Sequence, residues 1–432
     1  MPEGDQPVAR LVRRRFVQGL GAVGASGSFA PLLVRAGAPG SDRAGHDARV
    51  AMTPAGPMPL LAATWLQGSR HYVGLMRPGE HGIEVAGAVA LPSRAHAVIP
   101  QPDGRVLVVA RRPGDWLARI DVSGRREPQW CWSDGSTCFN GHVIATADGK
   151  RLLASETDLE SGEGLLGVYE ARTLELVDRW PVEGIDPHQM IEGRDGALWV
   201  AVGGIEIRRE TGRLKYGLDR MDSCLVRLDA ATGEIRQRWH LPDSRLGLRH
   251  LAETADGRIG IALQAEHADP EARRRAPVLA VLDRVEGIHA IGLPDGVSGA
   301  GYGGSIVAAG KRLLVSCPRV GRVMQWELPR VSGDGRAGWL APIELPEACP
   351  LAVQTLAGEA GESGSASGTR TAAGTLQQIW AGGAGAVVAE TRPAIPPASR
   401  SGPVKGPDAP PQTRHALDAT YRLDNHWSVM PG

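Results

Sequence analysis

Short apolar runs broken by Asp-Gly pairs recur along the chain and determine its predicted architecture. Four segments share one order: a histidine, a short and partly apolar run, an Asp-Gly pair, and a second run rich in Val, Leu and Ile. Asp-Gly is typical of a tight turn between antiparallel strands, because such a turn needs positive φ. Each segment therefore predicts a β-hairpin that begins close to its histidine. The segments are RAHAVIPQPDG from Arg94, NGHVIATADG from Asn140, DPHQMIEGRDG from Asp186 and LRHLAETADG from Leu248.

Two more short runs follow each hairpin, which makes four predicted strands in every unit. The histidines of the four units, His96, His142, His188 and His250, are spaced by 46, 46 and 62 residues. Four-stranded repeats of this length are typical of β-propeller blades, which bury both faces of their sheets only by packing around a common axis. The sequence therefore predicts an all-β fold of the β-propeller class.

Two further units and the chain ends complete the predicted ring. One unit has Tyr302 at the histidine position, and another has Cys349. The run after residue 59 supplies three strands of a blade and lacks the first, which DNHWSVM near the C-terminus supplies together with His426. We predict one domain over residues 59–432 with seven blades, closed by pairing of the N- and C-terminal strands; six and eight blades are the alternatives. Two low-complexity insertions, 359–374 and 392–412, are predicted to be loops.

The first 58 residues have a different pattern. Arg13 and Arg14 precede Phe16 and Val17, then a mildly apolar stretch, then small residues around Ala38. This order is typical of a secretory signal, and the arginine pair is typical of the twin-arginine type. We predict a signal peptide over residues 1–38, a linker over 39–58 and export to the periplasm. The apolar stretch is too short to predict a stable membrane span.

The balance of charge limits the classes of partner that the sequence predicts. The chain has 48 basic and 48 acidic residues, so there is no electrostatic basis for binding nucleic acid. We predict a monomer.

The cysteines are odd in number, so in an oxidising compartment at least one is not in an internal disulfide. Cys131 and Cys138 are close enough in sequence to form one, and the pairing among these two, Cys224, Cys317 and Cys349 stays open.

The residue at the histidine position has a chemical interpretation. The first strand of a propeller blade lines the axial channel, so these residues are predicted to meet at one mouth of that channel. Imidazole and thiolate are the usual ligands of Fe, Cu and Zn, which indicates a transition metal as the candidate cofactor. The alternative is structural, with each imidazole bonded to a neighbouring strand or loop. The candidate metal ligands are His96, His142, His188, His250, His426 and Cys349.

Polar residues near the ends of the second strands return to the same face of the predicted ring. They could form a binding site or a solvated rim. Gly203 and Gly204 precede Glu206 and indicate a close approach of backbone at this mouth. The candidate ligand-binding residues are Arg111, Arg112, Glu156, Asp158, Glu206, Arg249, Gln264 and Glu266.

The sequence contains no phosphate-binding loop, dinucleotide-binding glycine motif, HExxH or nucleophile elbow. The interpretation therefore leans away from an enzyme, and no catalytic residue is assigned. Three functions are carried forward. The first is a metal- or ligand-binding accessory, the second a protein-interaction scaffold with structural histidines. The third is a metal-dependent enzyme at the propeller axis, with Glu156, Glu206 and Glu266 as candidate acids or bases.

Several stretches taken together resemble a bacterial family catalogued as domain of unknown function 1513. They include GIDPH, DGALWVAVGGIE, TGRLKYGLDRMDSCLVRLDAATGE, FNGHVIATADGKRLLASETDLESGEGLLGVY and the terminal DNHW. The resemblance covers roughly Pro59 to Val429 and implies an exported, propeller-like protein. It also implies a link to iron acquisition and a periplasmic partner of the imelysin type. The family offers no established active site, so no catalytic residue follows from the resemblance.

Overall fold

Antiparallel four-stranded sheets make up nearly all of the regular structure. The computed structural model describes residues 59–212, 214–329, 338–356, 376–393 and 412–431. The predicted signal peptide, the linker, the insertion at 359–374 and most of the one at 392–412 lie outside these residues. Within them, no helix is long and apolar enough to cross a membrane.

Seven sheets follow one another along the chain, each an antiparallel meander from the axis outwards. The first half of the chain contains β1 (Leu61–Gln67), β2 (Arg70–Gly79), β3 (Gly82–Leu91), β4 (Ala95–Pro100), β5 (Val106–Ala110), β6 (Trp116–Ile120), β7 (Gln129–Trp132), β8 (Thr137–Ala145), β9 (Arg151–Asp158), β10 (Gly164–Glu170), β11 (Leu176–Pro181), β12 (Pro187–Glu192), β13 (Ala197–Val202), β14 (Glu206–Ile207), β15 (Lys215–Tyr216), β16 (Cys224–Asp229) and β17 (Ile235–His240).

The second half continues the same arrangement and includes a single short α-helix among the described residues. It contains β18 (Leu246–Glu253), β19 (Ile259–Ala265), α1 (Pro270–Arg275), β20 (Leu279–Asp283), β21 (Gly287–Ala290), β22 (Ser305–Ala309), β23 (Arg312–Cys317), β24 (Arg322–Glu327), β25 (Gly338–Glu344), β26 (Leu351–Leu356), β27 (Leu376–Gly383), β28 (Ala386–Pro393), β29 (Gln412–Ala416) and β30 (Tyr421–Val429).

The seven sheets are the blades of a propeller, as the sequence predicted. Blade 1 is β30-β1-β2-β3, blade 2 is β4–β7, and blade 3 is β8–β11. Blade 4 is β12-β13-β16-β17, with the small β14–β15 hairpin inserted, and blades 5, 6 and 7 are β18–β21, β22–β25 and β26–β29. The innermost strands β30, β4, β8, β12, β18, β22 and β26 contact one another in ring order.

Blade 1 closes the ring with strands from both ends of the described chain. Strand β30 pairs antiparallel with β1, with Val429 opposite Leu61 and Tyr421 opposite Gln67. The backbone N–H of Met430 donates to the carbonyl of Leu60 at 2.8 Å. The predicted closure by N- and C-terminal strands is therefore confirmed.

Apolar packing between neighbouring sheets forms the core. Seven buried apolar clusters lie one at each blade–blade junction, including the junction of blades 7 and 1, where Trp65, Trp380 and Trp427 are buried. Strand β5 (VLVVA) is buried along its whole length, because both faces of a blade are covered by its neighbours. Full burial of one large apolar side chain contributes about 1.5–3 kcal/mol, so each junction holds its two blades together.

The cysteines do not form the bridge that was considered for Cys131 and Cys138. Cys131 lies on β7, the outermost strand of blade 2, and Cys138 lies on β8, the innermost strand of blade 3. No disulfide is present among the described cysteines.

Candidate functional site

Five histidines from five different blades meet at the propeller axis. His96, His142, His188 and His250 are buried, and His426 is partly exposed. Their ring centroids are close to one another, with 4.5 Å between His142 and His188 and 4.6 Å between His250 and His426. The sequence prediction that these histidines converge at one place is confirmed. We call the five side chains the axial histidine cluster.

The nitrogen atoms of the axial histidine cluster point towards a common centre. The Nε2 atom of His250 lies 3.1 Å from Nε2 of His188 and 3.1 Å from Nε2 of His426. One ring nitrogen from each of His96, His142, His188 and His250 falls within a group whose members are all within 4.8 Å of one another. The cluster is thus a convergence of donor atoms as well as of rings.

A β-bulge or similar irregularity accompanies every histidine of the cluster. His96 lies between paired Ala95 and Ala97, His142 lies within the shift from Phe139 to Val143, and His188 lies within the shift from Pro187 to Met190. In β18 the shift falls directly before His250, and in β30 it spans residues 424–426. An extra residue on one strand of a pair redirects the local side chains.

The two remaining blades have neither feature. The innermost strands β22 and β26 pair regularly with β23 and β27 and contribute no histidine to the cluster. Bulges are enriched beside active sites. These irregularities therefore occur in the same five innermost strands as the histidines.

Several cluster nitrogens have no hydrogen-bond partner within the described part of the chain. They are both ring nitrogens of His96, Nε2 of His142 and Nδ1 of His250. A buried polar atom without a partner is costly, so water or another bound species is expected to contact these atoms. Burial, followed by repulsion between the histidines themselves and from the nearby arginines, lowers the pKa of His96, His142, His188 and His250 well below the ordinary value of 6.5. Burial lowers the pKa of His426 to about 3.

A charged network supports one side of the cluster. Asp186 accepts hydrogen bonds from Arg112 and from Nη1 of Arg249, the latter at 2.6 Å. Nη2 of Arg249 lies 3.3 Å from Nδ1 of His188. Because a guanidinium only donates, this Nδ1 accepts, and the proton of the neutral imidazole is on Nε2. Burial and then the nearby charge of Arg112 lower the pKa of Arg249, while Asp186 opposes that shift.

Asp186 was not among the residues predicted from the sequence. It is buried, and its φ of 59° is unusual for a residue other than glycine. A strained backbone at an acidic residue two positions before a cluster histidine is a typical mark of a functional site. The sequence signal was the acidic residue within GIDPH, and its importance depends on partners from two other blades.

A pocket opens directly above the cluster. It is partly open to solvent. A methyl group at Gly203 would collide with the side chains of Asp186 and Arg249, so the close approach predicted for this backbone is confirmed. The residues that line the pocket are His96, Arg111, Arg112, His188, Arg249, His250, Gln264, Tyr302, Gly303 and Asn425.

The other predicted ligand-binding residues divide into two groups. Glu266 accepts from Gln264 and Lys215 beside the pocket, and Glu206 lines a second, adjoining pocket with Arg112 and Asp186. Glu156 is fully buried within blade 3, where Tyr169 and Arg179 donate to it, and burial raises its pKa.

Two predicted residues lie away from the cluster. Asp158 accepts from the backbone N–H groups of Glu160 and Ser161 in a turn. Cys349 is not in the group of mutually close ligand atoms, although it was predicted to join the histidines. It precedes β26, and its carbonyl accepts from Ser316, while burial raises the pKa of its thiol to about 12. The structure thus brings together the histidines, the arginines and Gln264, and it leaves Glu156, Asp158 and Cys349 outside.

The cluster geometry fits a transition-metal ion. Zn–N bonds are about 2.0–2.1 Å, so neighbouring nitrogens on one ion are about 2.9–3.4 Å apart and opposite ones about 4.2 Å. The two separations of 3.1 Å fall in this range, whereas separations as large as 4.8 Å in the group of four require the rings to move closer when an ion binds. Together with the unpartnered nitrogens, this donor set suits Zn, Cu or Fe.

The model of a protein family of unknown function, DUF1513, matches residues 89–387. The chain belongs to this family. No curated protein sequence matches it significantly. Solved structures with similar folds include a Kuenenia stuttgartiensis hydrazine synthase, with 15% identity, a TM-score of 0.48 and coverage of 78% of this chain and 96% of that chain. Another is a functionally unknown protein from Desulfotomaculum acetoxidans, with 13% identity, a TM-score of 0.46 and coverage of 83% and 95%.

One glycine of this DUF1513 chain tests how tightly the cluster is held. Gly141 has a φ of 99°, and a Cβ there would lie 2.6 Å from Cδ2 of His96. Gly141→Ala is expected to lower the free energy of unfolding by about 2–3 kcal/mol, through backbone strain and displacement of the His96 ring. Denaturant unfolding measures the loss. Gly149→Ala is the matched control, because its φ is 66° but nothing lies within 4 Å of its Cβ. Equal losses in the two variants would show that His96 has room to move.

Proposed function

We propose that this protein is an exported β-propeller that binds one transition-metal ion in the axial histidine cluster. The observation that carries the proposal is the convergence of four buried imidazoles on the axis, three of which have a ring nitrogen without a partner among the described residues. A purely structural set of histidines would be expected to have hydrogen-bond partners, because unpaired buried nitrogens cost stability. The lowered pKa of each imidazole keeps it neutral at pH 7, and a neutral imidazole is the form that binds metal.

The cluster histidines and their neighbours have different roles in the proposed metal site. Within the described part of the chain, His96, His142 and His250 each have a nitrogen without a partner and supply candidate ligands from three blades, and Nε2 of His426 lies 3.1 Å from Nε2 of His250. Asp186, through Arg249, positions the ring of His188. The choice among Fe, Cu and Zn, the periplasmic location, and a role in iron acquisition with an imelysin-type partner are parts of the proposal that rest on the sequence and the family resemblance.

Elemental analysis tests the metal site directly. The full chain is produced with its own N-terminal segment, purified without chelators, and analysed for Fe, Cu and Zn by mass spectrometry. We expect close to one equivalent of one metal, and less than a tenth of that in a His142→Ala/His188→Ala/His250→Ala variant. The single variant His142→Asn guards against misfolding of the triple one and is expected to lose most of the metal. Circular dichroism checks that each variant is folded.

His240→Ala is the matched control. This residue is on the outer strand β17, its side chain is 49% exposed, and it pairs with Asp222. The control is expected to retain the metal of the unmodified protein. A native protein that contains no metal, and that binds none when Zn²⁺, Cu²⁺ and Fe²⁺ are each added, would overturn the proposal.

A further inference from the structure

The pocket above the axial histidine cluster has a surplus of positive charge. Arg111, Arg112 and Arg249 line it, and Asp186 is shared by the last two. Two carboxylates nearby are paired with other cations, Glu266 with Lys215 and Asp424 with Arg94. Among the described residues, the lining of the pocket therefore contains three guanidinium groups and no carboxylate. Charges in such a partly enclosed site are screened much less than on an open surface.

A metal ion would increase this surplus, because every candidate ligand in the cluster is a neutral imidazole. Binding a cation beside three guanidinium groups is opposed unless negative charge arrives with it. Positions beside the metal on the pocket side face Arg111 and Arg112, since both the arginines and His96, His188 and His250 line the same cavity. The electrostatics therefore favour an anion between the metal and the arginines.

The hydrogen bonds of His188 lead to the same conclusion. Nδ1 of His188 accepts from Arg249, so the proton of this imidazole is on Nε2. If Nε2 becomes a metal ligand, the proton moves to Nδ1, which then no longer accepts from the guanidinium. Nη2 of Arg249 is then in need of another acceptor, and an oxygen atom in the pocket supplies one.

We infer that the pocket formed by Arg111, Arg112 and Arg249 binds a small planar oxyanion, carbonate or the carboxylate group of a small acid, which completes the coordination of the metal. The inference rests on the proposed metal site. A guanidinium presents two parallel N–H donors that match two oxygens of such an anion. The pocket is small and partly open to solvent, which restricts its ligand to a few atoms. The affinities for metal and anion are then coupled, and each raises the other by the same factor.

Competition titrations of the metal-free full chain test this coupling. The dissociation constant for Zn²⁺ is measured against a chromophoric chelator at constant ionic strength in chloride, bicarbonate, acetate or phosphate. We expect binding at least tenfold tighter in bicarbonate or acetate than in chloride. Bicarbonate against acetate distinguishes carbonate from an organic carboxylate as the ligand. A preference for phosphate over both would overturn the assignment to a planar anion.

Variants of the pocket arginines test where the oxyanion binds. Arg111→Gln is expected to retain Zn²⁺ binding in chloride and to lose most of the gain from the oxyanion, and Arg112→Gln is expected to lose most of that gain as well. Arg284→Gln is the matched control, because it removes the same charge from an exposed arginine that pairs with Asp195 at the far ends of the strands. The control is expected to show the full gain.

The two proposals fail in different ways. Zn²⁺ binding of equal strength in all four anions would overturn this inference and leave the metal site standing. A gain that survives in both the Arg111 and the Arg112 variants would also overturn it, since the anion would then bind elsewhere. Absence of Zn²⁺ binding in every anion, repeated with Cu²⁺ and with Fe²⁺, would overturn the proposed metal site, and this inference with it.

Discussion

Ending the chain after Leu417, ahead of strand β30, is expected to abolish the folded state. Strand β30 is the innermost strand of blade 1, and it also contacts the neighbouring strands β4 and β26. Without it, β1 loses its partner along Leu61–Gln67 and the buried side chain of Trp427 is lost from the core. Removal of one buried Trp side chain alone costs about 3–5 kcal/mol. The loss of the whole strand is therefore expected to cost more free energy than the typical net stability of a domain, about 5–15 kcal/mol. Near-ultraviolet circular dichroism and thermal unfolding measure the outcome.

A circular permutant separates loss of the strand from loss of chain continuity. Because Met430 already bonds to Leu60, a short Gly-Ser linker can join residue 432 to residue 59 and make β30–β1 a hairpin. New ends between Val285 and Glu286 fall in an exposed turn, where Val285 is 94% exposed. The permutant is expected to unfold within a few degrees of the original domain. A cooperative transition in the shortened chain would show that six complete blades suffice.

Mild acid is expected to destabilise the metal-free protein strongly. The pKa of all five cluster histidines is lowered on folding, chiefly by burial. The unfolded chain therefore binds more protons than the folded one below the ordinary histidine pKa of 6.5. Stability is fully present above that pKa and is lost as the pH falls towards the folded values. Each such group contributes a slope of about 1.4 kcal/mol per pH unit, or about 2 kcal/mol between pH 7.5 and 5.

Protonation of the five cluster histidines together would lower the free energy of unfolding by an amount comparable to the entire stability of a typical domain. Two buried acids act in the opposite direction at lower pH, because burial raises the pKa of Glu156 and Asp424. Denaturant unfolding at several pH values in the presence of a chelator measures the slope. The double variant His142→Asn/His250→Asn is expected to reduce the slope of stability against pH by about two fifths, whereas His240→Asn is expected to leave the slope unchanged. A flat stability profile from pH 7.5 to 5 would contradict the burial of neutral imidazoles.

The fold was predictable because its signals are local. Each Asp-Gly turn, as at Asp103 or Asp256, marks a hairpin on its own, and repetition of the hairpin leaves few architectures other than a ring. Even the closing strand could be assigned, since blade 1 lacked one run and DNHWSVM supplied it. The convergence of the histidines followed from the fold, because equivalent positions on the innermost strands must meet at the axis.

The details of the site were not predictable because they depend on contacts across blades. Whether a strand contains a bulge at its histidine is determined by pairing with its neighbour, which no local pattern specifies. Glu156 resembled a rim residue in sequence, but Tyr169 and Arg179 hold it inside blade 3. Asp186 was not predicted because its place in the site depends on two partners from other blades, Arg112 from blade 2 and Arg249 from blade 5.

The origin of the five histidines in five blades has a consequence for the kinetics of the protein. His96 is on β4 and His426 is on β30, near the two ends of the propeller sequence. Contacts between such distant segments require nearly the whole chain to be ordered first, so the cluster is complete only late in folding. Interactions absent from the transition state leave the folding rate unchanged and slow unfolding. Any ligand held at the axis therefore extends the lifetime of the native state without helping the chain to reach it.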